Sequence, residues 1–70
     1  MNIEFSKHLV KRCNSRGIDL VWVKETMLYP DVVVHKGYKY YAIKKLNGKT
    51  LKIVYVKEKH IKLITAYFLP

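Results

Sequence analysis

His8, Arg12 and Arg16 recur at every fourth residue, and Lys45, Lys52 and Tyr67 follow in the second half of the chain. These are bases, cations and a phenol. Five acids are scattered at positions 4, 19, 25, 31 and 58, so the sequence offers no carboxylate pair for hydrolysis. The cations and phenol suit one reaction that needs no metal: cleavage of RNA by its own ribose 2′-hydroxyl. That reaction needs a base, cations for the charged phosphorane and an acid for the leaving 5′-oxygen. His8, Arg12 and Tyr67 are the catalytic candidates; Arg16, Lys45 and Lys52 are the candidates for binding phosphate or RNA. Each has a plainer reading. His8 can be a rim or capping residue, Arg12 can pair with Asp19 or Asp31, and Tyr67 can pack. The strand lysines can be solvated charges that discourage edge pairing.

Other chemistries lack their residues. Three separated glycines make neither a dinucleotide fingerprint nor a P-loop. His8, Cys13, His35 and His60 have no metal-ligand spacing, so neither a metal nor a cofactor is expected. Cys13 is a small core residue by type, and a lone cysteine fits a reducing compartment. The net charge of +9 comes from twelve Lys and two Arg against the five acids, which favours a polyanionic or acidic partner. No apolar run approaches a membrane span of about 20 residues. The expectation is a cytoplasmic protein without a membrane partner.

Seventy residues form one domain, 1–70. Its clearest local signal is Asn47-Gly48, the pair that fits a type I′ hairpin turn. This turn sets Tyr41 opposite Val54, Ala42 opposite Ile53, Ile43 opposite Lys52 and Lys44 opposite Leu51. The expected meander is Tyr38–Leu46, Lys49–Lys57 and His60–Phe68. A second two-residue turn at Glu58-Lys59 would set Ile53 opposite Ile64, Val54 opposite Leu63 and Lys52 opposite Thr65.

Period-2 alternation divides these strands into two faces. Tyr38, Tyr40, Ala42, Lys44, Leu51, Ile53, Tyr55, Lys62, Ile64, Ala66 and Phe68 form the expected core face. The other carries Val54, Val56, Ile61 and Leu63 at one end, where a second copy or a partner's helix could dock. Lys45, Thr50, Lys52, Thr65 and Tyr67 gather at its polar end.

Before the meander, Asp31–His35 reads as its first strand, joined to Tyr38 through Lys36-Gly37. Ser6 caps a helix over Lys7 to Ser15 that Gly17 stops, and Asp19 caps a second from Leu20 to about Tyr29. Leu20, Val23 and Met27 are its expected buried stripe. Asn2–Phe5 alternates as a short edge strand would. The fold class is therefore α+β, two N-terminal helices packed on an antiparallel meander of about four strands.

The run Phe5-Ser6-x-His8, with Arg12 and Arg16-Gly17-Ile18 at four-residue intervals, is followed by Pro30-Asp31, Tyr40-Tyr41-Ala42, Leu51-x-Ile53-Val54-Tyr55 and Ile64-Thr65-Ala66-Tyr67. Together they resemble a family of small proteins related to the RelE/ParE-like toxins of toxin–antitoxin systems. The resemblance implies a RelE/ParE-like fold and a cognate acidic antitoxin. It also implies either cleavage of messenger RNA on the ribosome or action on DNA gyrase. Tyr67 resembles the C-terminal Tyr of the RNA-cleaving members, but no strand here carries Arg. The leading expectation is a metal-independent endoribonuclease of the mRNA interferase type. The alternative is a non-catalytic basic module, and a homodimer is the third outcome considered.

Overall fold

The computed structural model describes residues 3–70, and Met1 and Asn2 lie outside them. The order is β1 (Ile3–Phe5), α1 (Lys7–Arg16), α2 (Leu20–Leu28), β2 (Val32–Lys36), β3 (Lys39–Leu46), β4 (Lys49–Lys57) and β5 (Ile61–Leu69). This is an α+β fold with two helices and one five-stranded sheet, ordered β1-β5-β4-β3-β2. The sheet is mixed, because β1 runs parallel to β5 while the other pairs are antiparallel. The expected antiparallel meander is present as β2–β5, and the short edge strand expected over Asn2–Phe5 joins it as β1, with Asn2 outside the described residues. β1 pairs with the last strand, β5, and the two helices and three strands that lie between them in the chain give the long connection that parallel pairing needs.

The helix signals act locally. Ser6 Oγ accepts the Leu9 N–H, and Gly17 closes α1 at φ 66°, where an L side chain would be strained. Asp19 accepts the Val21 N–H to start α2. Leu9 and Cys13 of α1 and Val23 of α2 meet Ala42, Leu51, Ile53, Tyr55, Leu63 and Ala66 of the sheet in one core. On α2 the fully buried pair is Val23 and Thr26, whereas Leu20 and Met27 pack at the margin. Thr26 tolerates burial because its hydroxyl donates to the Trp22 carbonyl at 2.8 Å.

Asn47 (φ 51°) and Gly48 (φ 79°) form the left-handed pair of the hairpin, and all four β3–β4 partnerships expected from it are present. The β4–β5 register differs. Lys52 faces Tyr67, Ile53 faces Ala66 and Val54 faces Thr65, two residues beyond the expected partners. One residue of this shift comes from the connection, which spans Glu58–His60 and lets β5 begin at Ile61. A tight turn at Glu58-Lys59 would demand positive φ, which among the described non-glycine residues only Asn47 adopts. The second is a bulge: Thr65 faces Val54 but Leu63 faces Tyr55, leaving Ile64 as the extra residue.

These two insertions redraw the faces. The wider turn puts Ile61 and Leu63 on the helix-covered side, and the bulge restores the parity that buries Ala66 and exposes Thr65 and Tyr67 to the opposite side. Leu63 is fully buried and Val54 is only 7 % exposed, so the proposed apolar docking patch at Val54, Val56, Ile61 and Leu63 does not exist as one surface. Lys62, expected in the core face, is exposed. Tyr38 likewise leaves the core: it sits in the β2–β3 turn with Gly37 (φ 62°) and is 73 % exposed. That turn therefore lies one residue later than Lys36-Gly37, which extends β2 to Lys36. Asp31 is released to bond the Lys45 N–H through its carboxylate at 2.9 Å.

Candidate nucleic-acid interface

Strand pairing aligns the uncovered side of the sheet in rows. Val32, Ile43, Lys52 and Tyr67 form one row across β2 to β5; Val34, Tyr41, Val54 and Thr65 form the next. Lys36, Lys39, Val56 and Lys62 form a third, which ends on Glu4 of β1. Within this surface lies a shallow depression of about 410 Å³ lined by Val34, Lys36, Tyr41, Ile43, Lys52 and Tyr67. Its floor is aliphatic and aromatic, its two charges are ammonium groups, and no carboxylate lines it.

Lys52 occupies the middle. Its Nζ lies 4.7 Å from the Tyr41 ring centre and 5.9 Å from that of Tyr67, cation–π distances on both flanks. A partly buried lysine held between two rings keeps its ammonium on the sheet surface instead of sweeping through solvent. Tyr67 is its direct cross-strand partner only because of the wider turn and the Ile64 bulge. Lys45 lies opposite Thr50, beside this row, and is exposed.

The other candidates are placed differently. His8 and Arg12, with Lys11 and Ser15, line a separate hollow of about 280 Å³ on the outward side of α1. That helix packs on the covered side of the sheet, so His8 and Arg12 do not share the depression of Lys52 and Tyr67. Arg16 is the residue that reaches round. Its Nη1 donates to the Ala66 carbonyl at 2.9 Å and to Thr65 Oγ1 at 3.3 Å, beside the strand position of Tyr67.

Acids are engaged in structure around these groups. Asp19 caps α2, and Asp31 accepts the Lys45 N–H and sits 3.7 Å from Lys44 Nζ. Lys44 also donates to the Tyr29 carbonyl at 2.8 Å, which ties it to the end of α2. Among the described residues, no group of three or more His, Cys, Asp and Glu side chains is placed to hold a metal ion. Among the described residues, too, no helix is long and apolar enough to cross a membrane.

Sequence reasoning singled out Lys52 and Tyr67 but not Val34, Lys36 and Ile43 as lining residues. The signal for them was the β2–β3 turn, whose Gly37 would have fixed the register had Tyr38 been placed in the turn. On the covered side the same pairing stacks His35, Tyr40 and Tyr55, with ring centres 4.0 and 5.3 Å apart.

Residues 5–68 match the family model described as "Domain of unknown function (DUF4258)". Neither a curated protein nor a solved structure matches the chain significantly.

Proposed function

We propose, from the premise that this chain belongs to the DUF4258 family, that the uncovered sheet face binds single-stranded RNA. The observation that carries this reading is Lys52 held between Tyr41 and Tyr67 in a depression lined with ammonium groups and free of carboxylates. Aromatic faces stack unpaired bases of any sequence while cations follow the phosphates. Arg16 and Lys45 extend the positive field to the margins of the depression. Tyr41→Ala should weaken binding of a short oligoribonucleotide roughly tenfold, since each stacked base contributes about 1–3 kcal/mol. His8→Ala should leave binding unchanged. Fluorescence anisotropy with a labelled oligoribonucleotide provides the measurement, and equal affinity of Tyr41→Ala and the parent chain would refute the reading.

The cross-strand pair of Lys52 and Tyr67 favours a second reading, a toxin-like endoribonuclease. Here Lys52 would stabilise the phosphorane and the Tyr67 phenol would exchange a proton with the reacting oxygens, without a metal. His8 and Arg12 would contribute only from α1, on another surface. An RNA bound on the ribosome would be the substrate in a RelE-like version, and a cognate acidic antitoxin would cover the basic face. A gyrase-directed action would follow from a ParE-like version, and either version places the protein in the cytoplasm. Incubation with RNA, alone and with ribosomes, separates these readings: products ending in a 2′,3′-cyclic phosphate and lost in Tyr67→Phe indicate cleavage. Binding without products leaves the module reading.

A further inference from the structure

The two edges of the sheet are built differently. At one, β1 covers Ile61–Leu63 of β5, and beyond it the edge is occupied by side chains. Ser6 Oγ reaches the Leu63 carbonyl at 3.5 Å, Arg16 holds the Ala66 carbonyl, and Ile64 bulges between them. Side-chain caps and a bulge are devices that keep a further strand from pairing. The opposite edge is β2, regularly paired with β3 along its whole length and without a bulge. Its residues Val32 and Val33 are 52 % and 48 % exposed, and its only lysine is the last residue, Lys36. Three consecutive valines on an unprotected end strand form a template for one more strand.

We infer that β2 pairs antiparallel with β2 of a second copy of this chain, joining two sheets across a two-fold axis. Self-pairing fits the composition of the strand. With Val33 on the axis, Val32 lies opposite the partner's Val34, and His35 and Lys36 run past the start of the partner's strand. No like-charge pair faces across the seam, and a single self-complementary patch closes the assembly. Val34 and Lys36 also line the depression on the uncovered face. The joined sheets therefore bring two such depressions to either side of one seam. Each copy carries a net charge of +9, so the two repel, and the repulsion is screened by salt. Association should strengthen with ionic strength, the reverse of what binding to a polyanion does.

Sedimentation equilibrium on the full chain, without RNA, tests this independently of the RNA-binding reading. Mass should rise from one copy toward two with concentration, with a dissociation constant at least severalfold lower at roughly 0.5 M than at 0.05 M salt. Val33→Lys, a change at an exposed position, should abolish the dimer while circular dichroism stays that of the parent. Amides of residues 32–36 should exchange more slowly as the parent chain is concentrated, and not in Val33→Lys. A single-copy mass at every concentration and salt would overturn the inference, as would a dimer that survives Val33→Lys.

Discussion

Cys13 and Arg16 meet near the end of α1, and their environments pull in opposite directions. Burial pushes the Cys13 thiol up from its ordinary range, and the Arg16 guanidinium opposes this more weakly. Tyr55 is likewise raised, first by burial and then by Tyr40. Both groups are acids that are neutral in the folded core and ionise more readily once unfolded. Their stabilisation is complete below the ordinary thiol and phenol ranges and is lost as pH rises through the raised folded values. Denaturant melts should therefore show falling stability on the alkaline side, and Cys13→Ala should remove the earlier part of that fall. A thiol-reactive probe should label native Cys13 only at the rate of unfolding. The sequence disclosed the type of both residues but not their surroundings: Arg16 meets its oxygen partners 49 and 50 positions away. Guanidinium chemistry suits phosphate and carbonyl oxygens alike.

At the scale of elements, what was legible followed from local chemistry. Ser6, Gly17, Asp19 and the Asn47-Gly48 pair act within a few residues of themselves, and the helices and the β3–β4 hairpin lie where these place them. The β4–β5 pairing was not legible because it answers to tertiary packing. Leu63 and Ala66 are an odd number of residues apart, yet both are fully buried, which strict alternation forbids. Ile64 reconciles them by bulging. Leu63→Ala should accordingly cost about 3 kcal/mol, in the range for a fully buried leucine. Ile64→Ala, at a half-buried position, should cost about 1 kcal/mol. Urea midpoints of the two variants check the order, which the register with Ile64 opposite Ile53 would reverse. The same bulge aligned Lys52 with Tyr67, so the element hardest to foresee also shaped the candidate site.

Across the whole molecule, positive charge is unevenly used. Lys44 is held by Asp31 and the Tyr29 carbonyl, whereas Lys36 and Lys52 line the uncovered depression and Lys45 stands beside it. If about four cations there engage phosphates, the logarithm of RNA affinity should fall with that of salt at a slope of about −3, and Lys52→Ala should lessen the slope by about 0.7. Anisotropy titrations at several salt concentrations give both numbers. A slope near zero would contradict electrostatic binding on this face.

The pairing of β1 with β5 also has a consequence for how the chain is born. Ile3 lies beside Ile61, so the first strand made must wait for the last before it has a neighbour. Helix α1 depends on β5 as well, because Leu9 and Cys13 share the core with Leu63 and Ala66. Until residues 61–69 have emerged during synthesis, β1 has no neighbour in the sheet and α1 lacks the strand it packs on, although α2 can already pack on β3 and β4. Docking of β1 and α1 is therefore the late step, completed when β5 arrives, and a nascent chain stalled before β5 keeps these two elements exposed.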